Sequence, residues 1–393
     1  MTKIVLLLFA QLALSLVAVA QWIIQPSGIS GSILQSVVFT NANTGYVVGN
    51  GGVILKTING GANWTQQTSG TSNDLFEASF LNEDTGYAVG YMGTILKTTN
   101  GGINWLPQIS GTTNQLSSVS FVDANTGYAA GGAFGVQTIL KTINGGASWT
   151  AQTTVTNQQL SSVYFVSAYT GFATGNAGTI LKTTNGGTTW AGQTVGAQIL
   201  RAVFFVDTNT GFAVGGSGTI LKTINGGVNW LTQTSGTVLS LMSVYFIDAN
   251  TGYIVGDNGK ILKTIDGGTN WITQTSGTGN WLFSVCFPDS VTGYAVGENG
   301  TIIKTTNSVG IIEKTDVQAI KIYPNPTTGK FQLRTADGFN AKHIEVYTML
   351  GGRVYSQMLH SPHEIVNIQL AKGLYFARVI DGEKALSIKL VIQ

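Results

Sequence analysis

One tripeptide organises most of this chain: Thr-Gly-Tyr or Thr-Gly-Phe begins at Thr44, Thr85, Thr126, Thr170, Thr210, Thr251 and Thr292, at spacings of 41, 41, 44, 40, 41 and 41 residues. A period this regular marks a unit that cannot bury both its faces alone and must stack on its neighbours. In the sixth copy, alternating or apolar runs at 243–248, 252–256 and 260–264, followed by a strand opening at Trp271, read as four short strands. Glycine, asparagine and aspartate punctuate the junctions, and they are the residues that tolerate the positive φ of tight hairpins. The chain holds 52 glycines in 393 residues, nearly twice the usual share of about 7%, and only 10% of it is charged, against about 25% in an ordinary globular protein. The expected fold is all-β, a seven-bladed β-propeller of four-stranded blades, with a small β-sandwich after it.

The ends of the array argue for a closed ring. The seventh copy stops at Thr305-Thr306-Asn307 without a tryptophan strand, whereas Gln21-Trp22-Ile23-Ile24-Gln25 aligns on the fourth strand that follows Asn63 in the first copy. The missing strand therefore sits at the opposite end of the array, where it pairs with the last three strands and leaves no long edge open.

Before each tryptophan strand lies a turn such as Thr57-Ile58-Asn59-Gly60-Gly61-Ala62-Asn63-Trp64, repeated up to Trp105, Trp149, Trp190, Trp230 and Trp271. It resembles the Asp-box, or BNR repeat, with asparagine in place of the aspartate except at Asp266. The Asx side chain is expected to tie down the turn's amides and the indole to pack between blades, a structural device. Together with the Thr-Gly-Tyr and Ile-Leu-Lys-Thr elements, residues 21–307 resemble the photosystem II assembly and stability factor family of seven-bladed propellers. That family is associated with an arginine-rich patch, and this propeller has one arginine, Arg201.

Past Asn307 the composition changes, and all three histidines and three of the four arginines lie there. After a linker at 308–317, the motifs Ile322-Tyr323-Pro324-Asn325-Pro326-Thr327-Thr328-Gly329-Lys330-Phe331, Ile344-Glu345-Val346-Tyr347, Gly373-Leu374-Tyr375-Phe376-Ala377-Arg378-Val379 and a closing Lys389-Leu390-Val391-Ile392-Gln393 follow in order. Over 318–393 the chain resembles the C-terminal sorting domain of the type IX secretion system. Residues 1–20 have the grammar of a cleavable signal peptide: Lys3, an apolar run from Ile4 to Val17, and Ala18-Val19-Ala20. The two signals together imply Sec export and then type IX secretion, to the medium or the outer surface of a Gram-negative bacterium, with the type IX machinery as a partner of the tail.

Chemistry is sparse. A formal charge of +2 disfavours nucleic acid, the single cysteine excludes an intrachain disulfide, and the propeller contains no histidine; no cofactor or metal is expected, and no membrane span in the mature protein. Resemblance to sialidases would require three arginines. The propeller's carboxylates are Asp74, Glu77, Glu83, Asp84, Asp123, Asp207, Asp248, Asp257, Asp266, Asp289 and Glu298. Asp123, Asp207 and Asp248 repeat at one turn position. Asp257 and Glu298 depart from the repeat, and they are the candidate pair for the alternative reading as a glycoside hydrolase. Seven equivalent lysines, Lys56, Lys97, Lys141, Lys182, Lys222, Lys263 and Lys304, are expected to cover apolar surface with their stems while their ammonium groups reach water.

Binding is expected where the repeats disagree, because packing accounts for what they share. Strand alternation places the fourth-to-first and second-to-third connections on one face. There lie the candidate ligand-binding residues Asp74, Phe76, Tyr91, Phe134, Arg201, Asp257, Trp281 and Glu298, with Met92, Lys260 and an insertion around Ala133-Phe134-Gly135. The reading from sequence is a secreted or surface binding protein, not an enzyme, that recognises a glycan or protein partner.

Overall fold

The computed structural model describes residues 22–133, 135–306, 320–335, 342–348, 353–361, 364–381 and 384–393. The expected signal segment, the linker at 308–317 and Phe134 lie outside the described residues. The described residues fall into two compact units, 22–306 and 320–393.

The first unit is a ring of seven four-stranded antiparallel sheets. In the first blade the strands are Leu34–Phe39, Gly45–Gly49, Ile54–Thr57 and Thr65–Gln67, from the channel outward. The seventh blade has three consecutive strands, Leu282–Cys286, Thr292–Gly297 and Ile302–Thr306, and takes its fourth, Trp22–Gln25, from the other end of the array. Trp22 pairs with Thr305 and Gln25 with Ile302, so the ring closes as the sequence implies.

An aromatic triplet joins each blade to the next. The phenylalanine ending the first strand lies flat against the second-strand Tyr or Phe of the preceding blade and receives the edge of its own blade's tryptophan. Phe80 stacks on Tyr46 at 4.0 Å between centroids and meets Trp105 edge-on at 5.9 Å. At the closure Phe287 stacks on Tyr253 at 4.5 Å, and the edge-on partner at 6.2 Å is Trp22. In the seventh blade the first strand ends at Cys286, and Phe287 follows it directly.

The lysines do not send their ammonium groups to water. Lys56 Nζ donates to the Gly101 carbonyl in the next blade's Asn-Gly-Gly turn at 2.6 Å, and Lys97, Lys141, Lys182, Lys222 and Lys304 repeat the contact on Gly145, Gly186, Gly226, Gly267 and Gly60. Each of the seven also lies over its own blade's aromatic ring, Lys263 at 5.4 Å from the Tyr253 centroid. A charged donor between a carbonyl and a π face is worth more in this half-buried place than in solvent.

The Asp-box turn holds itself together as its residue types suggest. Asn59 Oδ1 accepts from the Asn63 N–H at 3.0 Å, and Thr57 Oγ1 accepts from the Gly61 N–H at 2.9 Å. Gly61 has φ +76° and lies so close to Tyr294 that a Cβ would come within 2.8 Å of the ring, so only glycine fits. Asp266 keeps the same role, and the Asn270 backbone and side-chain donors, with Thr264, hold its carboxyl down to about 2.

The second unit contains a three-stranded sheet (Ile320–Tyr323, Lys330–Thr335, Ile365–Asn367) and a four-stranded sheet (His343–Thr348, Arg353–Met358, Gly373–Asp381, Lys384–Ile392). Ile322, Phe331 and Val366 from the first share one buried core with Ile344, Val346 and Val379 from the second, the arrangement of a small sandwich.

If Trp22 completes the last triplet, Trp22→Ala should cost about 3–5 kcal/mol, as much as Trp105→Ala inside the array. Chemical denaturation of the two variants tests this, and an unchanged midpoint for Trp22→Ala would reject the closure.

Candidate functional site

The first strand of every blade runs along the central channel and carries a β-bulge near its start. In the first blade Leu34 pairs with Gly49 and Ser36 with Val48, so Gln35 is the extra residue; the same shift occurs in the other six. A bulge sets two residues against one and re-aims the strand. Here both the bulged residue and its successor line one cavity of about 370 Å³ at the centre of the ring.

The cavity therefore has two tiers with one residue per blade in each. The bulge tier is Gln35, Phe76, Ser117, Ser161, Arg201, Met242 and Phe283, five residue types at seven equivalent positions. The second tier is Ser36, Glu77, Ser118, Ser162, Ala202, Ser243 and Ser284, in which serine is the rule. Trp281, 39% exposed, adds an indole to the lining.

The serine tier also ties the blades together. Ser284 Oγ accepts from the Val37 N–H at 3.2 Å, Ser118 from Val163 at 3.0 Å, and Ser36, Ser162 and Ser243 from Ala78, Val203 and Val285 at 3.4 to 3.5 Å. Glu77 makes the same link with a carboxylate, its Oε2 accepting from the Val119 N–H at 2.6 Å. Ala202 has no oxygen to offer Val244. Burial among the inner strands pushes the Glu77 carboxyl up to about 7, although hydrogen bonds from Ser118 and Val119 pull the other way. Among the lining residues only Glu77 and Arg201 carry charge, on blades two and five.

Of the candidates read from sequence, Phe76, Arg201 and Trp281 meet in this cavity. Asp74 serves the fold, its Oδ1 accepting from the Gly51 N–H of the preceding blade at 2.8 Å. Glu298 Oε2 accepts from the Trp281 N–H at 3.0 Å, and Asp257 opens the equivalent turn one blade earlier with one buried carboxylate oxygen lacking a hydrogen-bond partner. Neither lines the cavity, so the carboxylates proposed as a hydrolytic pair do not converge there. Tyr91 and Met92, 51% and 54% exposed, form a separate apolar tip at the rim. Met92 holds φ +52° where the first blade has glycine, a conformation a long side chain adopts at a cost. In the third blade the insertion extends the hairpin, with Ala133 opposite Val136, in place of the short turn seen elsewhere.

Glu77, Met242 and Phe283 also line the cavity but lie within strands, where a reading of the connections does not reach them. The signal was present: aligning the copies at Ser36 exposes Glu77 and Ala202 as its two exceptions.

Residues 15–108, 106–199 and 195–272 match the family described as photosynthesis system II assembly factor YCF48. The chain belongs to this family. Residues 321–393 match the secretion system C-terminal sorting domain, which marks the protein for secretion. Among solved structures, YCF48 from Cyanidioschyzon merolae is 20% identical, with 74% of this chain and 100% of that one covered at a TM-score of 0.62. A structure of YCF48 bound to D1 peptide is 17% identical, covering 73% and 96% at 0.61, and the WD40 β-propeller domain of Doa1 is 13% identical, covering 72% and 96% at 0.57. At these identities the likeness is one of fold. No curated protein sequence matches this member of the YCF48 family significantly.

The raised carboxyl at Glu77 has a signed consequence for stability. Between its ordinary value of 4.5 and about 7 the folded chain holds a proton that the unfolded chain has lost, so Glu77 costs stability progressively as pH rises through that window. Replacement by the repeat's own residue, Glu77→Ser, should leave stability close to wild type at pH 4 and make the variant increasingly the more stable of the two up to pH 7. Paired denaturation curves across that range measure it, and a pH-independent difference would refute the protonated carboxyl.

Proposed function

We propose that this is an exported binding protein whose propeller captures a peptide segment of another protein at the central cavity, while its sorting domain directs it through type IX secretion to the outer surface or the medium. The observation that carries the reading is the bulge tier. Seven copies that agree at nearly every buried position present seven side chains of mixed chemistry at the one place where all blades converge. Packing between blades does not require that variety. Recognition of an asymmetric ligand does, and apolar Phe76, Met242, Phe283 and Trp281 beside polar Gln35 and Arg201 suit a peptide. That a YCF48 protein has been captured with a D1 peptide supports peptide binding as a use to which this fold is put. The lining offers one carboxylate, which favours binding over hydrolysis by a carboxylate pair.

Peptide-library selection on the purified propeller tests the reading. Combined Phe76→Ala, Arg201→Ala and Trp281→Ala should weaken selected peptides at least tenfold with little change in denaturation midpoint, whereas Asn100→Ala in an Asp-box turn should cost about 1 kcal/mol of stability and leave binding intact. Binding that survives the triple variant would place the site elsewhere, and selection of glycans alone in a parallel array would replace the peptide by a sugar.

The export half of the proposal is tested separately. Deleting 318–393 should leave a folded propeller held inside a type IX-competent host, and mass spectrometry of the secreted wild type should find an N-terminus near Gln21 and a C-terminus within 308–317. Normal export of the truncated chain would overturn the sorting role.

A further inference from the structure

The second tier of the cavity presents an anomaly that the fold does not explain. Linking one blade to the next at this level takes only a hydroxyl, as Ser36, Ser118 and Ser284 do, and even that is dispensable, since Ala202 stands there in the fifth blade. At Glu77 the chain instead places a carboxylate among inner strands, where an unpaired ionised group is costly. The two donors on it, Val119 N–H and Ser118, leave part of its acceptor capacity unused, because a carboxylate offers about four lone-pair directions. The surroundings supply no cation: Arg201 lies in the tier above, three blades round the ring, and the two first strands flanking it, Leu34–Phe39 and Gln115–Phe121, contain no titratable residue. From its own blade's second strand the one titratable group is Tyr87, whose hydroxyl burial pushes up to about 12.

We propose that the cavity receives a primary ammonium group of its ligand, with Glu77 as counter-ion and the apolar residues of the bulge tier around the chain that carries it. The inference rests on the reading of this cavity as the binding site and names the chemistry it selects. Glu77 is the sole negative group of the lining, so a cation has one place to settle, and Arg201 opposes it on the far wall. Phe76, Met242 and Phe283 provide a sleeve for methylenes, with aromatic faces that favour a nearby cation. A divalent metal ion is a poor alternative, since it wants several anionic oxygens and the tier offers one carboxylate among hydroxyls. An anionic group would be repelled by Glu77. Lysine side chains and free peptide N-termini both present the required ammonium.

The test uses the propeller with four probes followed by ligand-observed NMR: Nα-acetyl-lysine amide, its Nε-acetylated counterpart, and two pentapeptides without lysine, one with a free and one with an acetylated N-terminus. The ammonium-bearing probes should bind wild type at pH 8 at least tenfold more tightly than their acetylated partners, and comparison of the two pairs distinguishes the lysine from the N-terminal source. That preference should vanish in both Glu77→Ser and Glu77→Gln, whose denaturation midpoints report that they are folded. Because the bound ammonium needs the ionised carboxylate, affinity should fall as pH drops from 8 to 6 in wild type and stay level in Glu77→Ser. Equal binding of acetylated and free amines, or full retention of the preference in both folded variants, would overturn the proposal. Should library-selected peptides then still bind the cavity, the peptide-binding reading would stand without it; should neither selected peptides nor amines bind, both would fall.

Discussion

The propeller depends on an aromatic ring that belongs to two blades at once. Phe80 ends the first strand of the second blade, yet its flat face rests on Tyr46 of the first, and the edge of Trp105 holds it from its own side. A single blade has therefore no complete core; the buried clusters run across boundaries, as where Tyr46, Val48 and Ile54 join Leu75, Leu96 and Trp105. Hydrophobic burial is non-directional, but this geometry gives it a direction around the ring. The lysine contacts reinforce the same boundary from the outside, reaching a glycine carbonyl that the next blade's Asp-box turn presents. The serine tier reinforces it from the channel. Three layers of contact thus act at one seam and follow the sequence period, the serine-tier link lapsing only at Ala202.

What the sequence revealed of this follows from where the partners lie. Hairpins, turns and ring closure depend on residues within one period or on its incomplete last copy, and they were legible. The lysine contacts are not legible in the sequence, because the acceptor is a backbone carbonyl of the next blade, 45 residues onward for Lys56 and Gly101 and 244 residues back for Lys304 and Gly60, and a carbonyl carries no side-chain signature. The sixth blade's first strand begins at Leu241, earlier than the alternating run from Ser243 suggests, because the bulge at Met242 breaks strict alternation while pairing continues.

The same bulge explains why the candidate site was only partly visible. Phe76, Arg201 and Trp281 stand out by their departure from the repeat, but Phe76 and Arg201 sit in strands and not in the connections where the repeat pattern places them. Asp257 and Glu298 depart from the repeat as conspicuously, yet the Glu298 carboxylate is engaged by the Trp281 N–H within its own blade. Variation among repeats marks candidates; it takes the ring to decide which of them share a space. Glu77 stands out only when the first strands of all seven copies are aligned at Ser36, since by itself it is one of eleven carboxylates in the propeller.

The strand Trp22–Gln25 gives the fold an order of events. Its pairing partners, Ile302 to Thr305, lie at the far end of the array, so this strand must wait while every intervening blade is delivered. Closing so distant a contact is entropically costly in an unstructured chain but cheap once stacked blades have brought the ends together. The first residues of the propeller thus become its last to dock, and a chain cut short before Phe287 keeps an indole without the ring it packs on. Such a chain advertises its own incompleteness: the fastening that seals a finished ring is, in an unfinished one, an exposed hydrophobic strand for quality-control proteases to find.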